Sequence, residues 1–251
     1  MRHEEYIRRS IGADTVVVMI HGILGTPRHF DRFLSSIPES VDICNMRLPG
    51  HGGTVLDFAH TSMAQWRQAV RERLAQLSEE YENILILAHS MGCLLSIEAL
   101  EEFPKLRGMV LLAPPLKICF RPVMIKYCFR LVFDCIDESD PAQRGIKYAA
   151  GVTQDLRLWR YLGWIPRFLE LFALCRQTRK KIPKVTIPCR VLLSRKDELV
   201  SLKTRRYLQG HPRISYEILL NSGHFYYSPE AAEEIRRSLD AMVSPFFSQN
   251  H

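Results

Sequence analysis

Three residue types that can act together on a carbonyl carbon occur in the order Ser90, Asp197, His224. In "ILILAHSMGCLL" (84–95) an apolar run leads into Ala88-His89-Ser90-Met91-Gly92, and a second apolar run follows. A serine hydroxyl is a weak nucleophile and must stand clear of its surroundings to reach both a base and a substrate. A sharp strand-to-helix turn does this and requires small residues two before and two after the serine, which Ala88 and Gly92 supply. His224, in "ILLNSGHFYYSPE", follows an apolar run and precedes a helical pattern over 229–241, a place where an imidazole can take the serine proton. Asp197, in "CRVLLSRKDELVS", lies three residues past a strand-like run with Glu198 beside it, and can orient that imidazole. Each residue also has a plainer reading: a serine at a helix start, an N-cap for "ELVSLKTRRYL", a loop histidine.

Acyl transfer also needs donors for the developing oxyanion. The turn at Ser90 brings the Met91 N–H and a helix N-terminus beside the reacting carbon. The glycine-containing stretch "VVVMIHGILGTP" (16–27) turns after a strand, and Ile23, directly after His21-Gly22, is the expected second donor. Among the other histidines, His21, His51 and His89 lie near these motifs, where they line or support a site, whereas His3, His211 and His251 have terminal or polar contexts.

The elements that must position these residues alternate. Short runs at 15–20, 42–46, 83–88, 108–113, 189–194 and 215–220 read as buried strands. Helical patterns fall at 29–37, 62–80 and 91–102. In "SMAQWRQAVRERLAQLSEE" the residues Met63, Trp66, Val70, Leu74 and Leu77 share one face, with Ser62 or Thr61 as cap. Strands alternating with helices predict βαβ units and a doubly wound parallel sheet. The alternation stops over 116–187. There, on a wheel of 123–136, Lys126, Arg130 and Asp134 form one narrow polar stripe and almost everything else is apolar, so this helix must be covered on two sides. A cap over an apolar pocket meets that need, and a buried core helix is the plainer reading. The expected division is a core of 1–115 and 188–251 with a helical cap insertion at 116–187.

The composition is that of an ordinary globular chain: 47% hydrophobic, 24% charged, net charge +7. That mild excess favours anionic surfaces without pointing to nucleic acid. The basic run "CRQTRKK" (175–181) reads as a solvated helix end or a weak membrane-surface contact. "MRHEEYIRRSIGADT" has no secretory h-region, and no run has the ~20 apolar residues of a membrane span. Seven cysteines without a C-x-x-C pair, mostly in apolar runs (Cys44, Cys93, Cys119, Cys128, Cys189), predict buried free thiols in a reducing, cytoplasmic setting.

"HGILG" (21–25), "LPGHGGT" (48–54), "AHSMGC" (88–93), "SRKDELV" (194–200) and "SGHF" (222–225) together resemble the α/β-hydrolase family, and within it the small capped carboxylesterases and monoacylglycerol lipases. The resemblance spans nearly the whole chain outside 116–187. It implies a mostly parallel sheet of about eight strands flanked by helices. It also implies Ser90, Asp197 and His224 as a triad, Ile23 and Met91 as oxyanion donors, and no metal or organic cofactor. Ala88 and Cys93 depart from the usual glycines. His21, Gly22, Leu24, His89, Trp159, Trp164 and Phe225 are the expected substrate contacts. The insert's aromatics Phe120, Tyr127, Phe129, Phe168 and Phe172 are further pocket candidates.

The expected reaction is hydrolysis of short- to medium-chain acyl esters, monoacylglycerols among them, by a monomer or dimer with a small-molecule substrate and no nucleic-acid partner. A thioesterase, lysophospholipase or amidase would use the same triad, and a non-catalytic small-ligand binder would use the same fold. Epoxide hydrolases and dehalogenases need an aspartate in place of Ser90.

Overall fold

The computed structural model describes residues 3–247; His251 lies outside them. Among the described residues, nine strands and seven α-helices follow in order. The strands are β1 (Tyr6–Arg8), β2 (Thr15–Ile20), β3 (Asp42–Met46), β4 (Gly53–Thr54), β5 (Asn83–His89), β6 (Leu106–Leu112), β7 (Val152–Thr153), β8 (Cys189–Ser194) and β9 (Ile214–Leu219). The helices are α1 (Val55–Ala59), α2 (Met63–Glu80), α3 (Met91–Ala99), α4 (Val123–Val132), α5 (Pro141–Ala149), α6 (Ile165–Lys181) and α7 (Pro229–Phe247).

Seven strands form one sheet in the order β1-β3-β2-β5-β6-β8-β9, parallel throughout except for β1, which pairs antiparallel with β3. All six strands read from the apolar runs are present. The count of about eight falls to seven in this sheet, and β4 and β7 pair separately. The edge strand β1 escapes the hydrophobic signal because it is three residues long and mostly exposed. The β2 sequence TVVVMI is buried at every position, as expected where helices cover both faces. Val16, Val18 and Ile20 point into one core with α2 and α3, while Val17 and Met19 point into the other with Phe30, Phe33 and α7.

α2 begins as predicted: the Ser62 hydroxyl accepts from Gln65 N–H while the Gln65 side chain accepts from Ser62 N–H. Met63, Trp66, Val70, Leu74 and Leu77 are its buried face. The predicted helix over 29–37 is a 3-10 helix at Pro27–Ser36, and the one after Asp197 shrinks to a 3-10 turn at Leu202–Tyr207.

Between β6 and β8 the chain leaves the sheet to form α4, α5, β7, a 3-10 turn (Leu158–Trp164) and α6. It is tied back to the βα loops: Gly151 N–H donates to Leu24 O at 2.7 Å, Trp164 Nε1–H to Val55 O at 3.0 Å, and Met63 N–H to Glu170 at 2.9 Å. No helix among the described residues is long and apolar enough to cross a membrane. Cys44, Cys93, Cys175 and Cys189 are buried, but Cys128, at the mouth of a cavity beside α4, is exposed and Cys119 partly so.

Candidate active site

Ser90 stands between the end of β5 and the first residue of α3 with φ +51° and ψ −119°. A non-glycine residue held there stores roughly 1–3 kcal/mol of strain. Close packing maintains the turn. A Cβ on Gly92 would lie 2.1 Å from Ile20 O, and one on Gly22 would lie 2.8 Å from Ser90 Cβ. Neither position has room for a side chain. Ala88 is fully buried between β2 and β6, so the small-residue requirement is met at both ends of the turn.

The three separated residues converge. His224 Nε2 is 3.1 Å from Ser90 Oγ, and His224 Nδ1 is 2.9 Å from Asp197 Oδ2 and 3.1 Å from Oδ1. With Nδ1–H donating to the carboxylate, Nε2 holds the lone pair and the serine O–H donates to it. Asp197 is not an N-cap; Ser201 caps the turn at Leu202. Instead Asp197 Oδ1 accepts the Leu199 and Val200 N–H groups at 2.8 and 2.7 Å, which locks the carboxylate toward His224.

Glu198, to which the sequence assigns no role, accepts the His224 N–H through Oε2 at 2.9 Å. Burial pushes its carboxyl above the usual range. The adjacency of two acids in "KDE" was the only hint of it.

Leu24 takes φ +57°, and its N–H donates to His51 Nε2 at 3.2 Å. Ser90 N–H donates to Leu112 O. The Ile23 and Met91 N–H groups have no acceptor among the described residues, so both are free for an oxyanion.

An apolar cavity of about 400 Å³ adjoins His224, lined by Ile23, Leu24, Met124, Trp164, Phe168 and Phe225 among others. Its size and lining suit a small apolar ligand. Of the expected substrate contacts, Leu24, Trp164 and Phe225 line it, as do Phe120 and Phe168. Trp159 does not: it is 66% exposed. Phe129 and Phe172 are likewise exposed, and Tyr127 is outside the lining. His21, Gly22 and His89 lie beneath the cavity rather than on it. A larger groove of about 760 Å³ sits at the amino ends of β6, β8 and β9, away from every candidate catalytic side chain.

The buried histidines have a supporting role. His21 Nε2 accepts Leu48 N–H at 3.1 Å while its Nδ1 faces Gly22 O at 2.9 Å. His51 does the same between Leu24 N–H and Pro49 O. In each ring one nitrogen must accept, so a second proton would face a donor. His89 stacks on His29 at 3.9 Å and reaches His224 O at 3.0 Å, and His29 meets the Tyr227 hydroxyl at 3.2 Å. Burial lowers His21 to about 4 and His29 to about 3, and pushes His51 and His89 well below the usual value.

Unfolded, these rings titrate near 6.5 and so bind protons that the folded state refuses. Stability therefore falls as pH drops through 6.5 toward the folded values. At about 1.4 kcal/mol per pH unit for each ring, His21 and His29 alone cost on the order of 4 kcal/mol by pH 5. Urea melts at pH 7.5 and 5 should show this loss, and equal midpoints would contradict it.

Cys93 is fully buried with Sγ 3.3 Å from both Ala88 O and Leu112 O. The thiol is held by these two carbonyls and makes no hydrogen bond to Ser90 Oγ, which pairs with His224. Cys93→Gly is expected to keep kcat within about threefold while costing about 2 kcal/mol, or 4–8 °C in Tm. A large change in kcat would show that the thiol shapes the turn.

Comparison with known proteins gives consistent likenesses. The chain is 24% identical over 189 residues to a thermostable monoacylglycerol lipase from Bacillus sp. (strain H-257), covering 73% of this chain and 71% of that protein. Among solved structures, it matches a metagenome-derived lipolytic enzyme at TM-score 0.74 with 20% identity, over 96% of this chain and 98% of the other. It matches the monoacylglycerol lipase of Paleococcus ferrophilus at TM-score 0.67 with 17% identity, again over 96% and 98%. At these identities the structures establish a shared fold. The sequence pattern of the alpha/beta hydrolase family matches residues 17–237, from β2 into α7, and the chain belongs to that family.

Proposed function

We propose that the chain is a serine hydrolase that cleaves carboxylic esters with short- to medium-chain acyl groups, monoacylglycerols among them, through an acyl-enzyme on Ser90. The observation that carries this reading is the single relay Ser90 Oγ–His224–Asp197, with spacings of 3.1 and 2.9 Å, beside an apolar cavity. In this scheme His224 Nε2 takes the Ser90 proton as Oγ attacks the ester carbonyl. The Ile23 and Met91 N–H groups hold the oxyanion. His224 returns the proton to the leaving alcohol, then activates water to release the acid, while Asp197 holds the ring in one tautomer. Residues 116–187 serve as a cap whose α4 and α6 faces wall the acyl cavity. The lipolytic relatives support ester hydrolysis as the reaction.

The test is kcat/KM across p-nitrophenyl esters and monoacylglycerols of graded acyl length, with thioesters and amides alongside. Each CH₂ buried in the cavity is expected to raise kcat/KM about fourfold until the cavity is full, with a fall beyond. Preference for thioesters or amides, or indifference to chain length, would contradict the reading.

A further inference from the structure

α4 and the segment 158–172 each turn one face to the cavity and leave another apolar face uncovered. Beside α4's cavity-lining Met124 and Cys128, the residues Ile125, Phe129 and Phe133 recur every fourth position and are 51%, 53% and 50% exposed. Beside Trp164 and Phe168, the residues Leu158, Leu162, Ile165, Leu169 and Phe172 recur at helical spacing and are all exposed, with Trp159 next to them. The covering expected on both sides of α4 is therefore present on one side only. Of sixteen exposed large apolar side chains among the described residues, eleven lie between Phe120 and Phe172.

The charge is equally uneven. Residues 116–187 hold 14 Lys and Arg against 6 Asp and Glu; the whole chain has 34 and 27, which leaves 20 and 21 outside. The positive excess of the chain thus resides in this segment. Its C-terminal cations are already engaged: Lys181 and Lys184 with Glu101 of the body, and Arg179 with Leu116 O at the segment's own start. The basic run at 175–181 is thus partly a packing element. The charges beside the apolar stripes are Lys126 and Arg130 on α4, whose stripe ends in Asp134 paired with Lys147, and Arg157 and Arg160, which share the single Asp155.

We infer that this surface docks on an anionic lipid bilayer, with the two stripes entering the headgroup region and their flanking cations meeting lipid phosphates. Apolar stripes edged by Lys and Arg, with a tryptophan among them, suit that interface. A second copy of the chain would bring like charge against like charge. Because the same elements wall the cavity, docking holds the cavity next to the lipid, whatever bond the site cleaves.

The test is co-sedimentation with phosphatidylcholine vesicles, with and without about one-third phosphatidylglycerol, at low and high salt. Each basic residue near such a surface strengthens binding about fivefold. The anionic vesicles are expected to bind at least tenfold tighter, and the difference should shrink at high salt. Lys126→Glu should weaken binding to anionic vesicles about fivefold or more. Phe129→Ser with Leu162→Ser should abolish binding to both, with thermal melting unchanged. Should the double variant melt early, the single Phe129→Ser and Lys126→Glu variants carry the test. No sedimentation, equal binding to both vesicles, or variants that bind like the wild type would overturn the inference. So would a dimer dissolved by the same substitutions in a chain that ignores vesicles.

Discussion

Ser90→Ala is expected to lower kcat on p-nitrophenyl butyrate by about 10⁶-fold, with the fold intact. Among the described residues the side-chain hydrogen bond of Ser90 Oγ is to His224 Nε2, so removing it unpairs one nitrogen beside the cavity and no other group. Alanine keeps the Cβ that packs against Gly22 and carries the same backbone strain at φ +51°. What remains is the cavity and the unpaired Ile23 and Met91 N–H groups, none of which offers a covalent route. Retention of wild-type turnover would remove Ser90 from the mechanism.

Asp197→Asn is expected to lower kcat by about 10⁴-fold and to change KM little. The reason is local. Asp197 Oδ1 accepts the Leu199 and Val200 N–H groups, so an asparagine must keep its oxygen there. Its amide NH₂ then faces His224 Nδ1 in place of Oδ2. That nitrogen must become the acceptor, and the ring proton moves to Nε2, opposite Ser90 Oγ, where a lone pair is needed. The loop geometry survives, but the imidazole is held in the tautomer that cannot act as base. A loss below tenfold would mean that another group orients the ring, Glu198 on the His224 main-chain N–H being the first to test.

The parts of the fold legible in the sequence were those where one interaction dominates. Six apolar runs became six strands of the main sheet; β2, covered on both faces, is buried at every position, while β9 at the far edge keeps enough apolar residues on its inner face to be read. The α2 face and its Ser62 cap were legible for the same kind of reason. The convergence of Ser90, Asp197 and His224 was legible because each follows a strand's carboxyl end, and parallel strands bring those ends to one edge. The strand β1 was not legible, since an exposed edge strand carries no hydrophobic signature. Nor were the partners of Asp197 Oδ1, or the Glu198 contact to the His224 main chain, which depend on loop conformation rather than residue type. Trp159 shows the converse error: apolar character alone does not say whether a side chain on a half-covered helix turns toward the cavity or away.

The central claim is that Ser90 is an activated nucleophile. Treatment of the intact chain with a fluorophosphonate, followed by mass analysis of the labelled peptide, tests it most directly. One adduct is expected, on Ser90, absent from Ser90→Ala and strongly slowed in Asp197→Asn. A wild-type chain that does not label, or a Ser90→Ala chain that labels at the same rate, would contradict it.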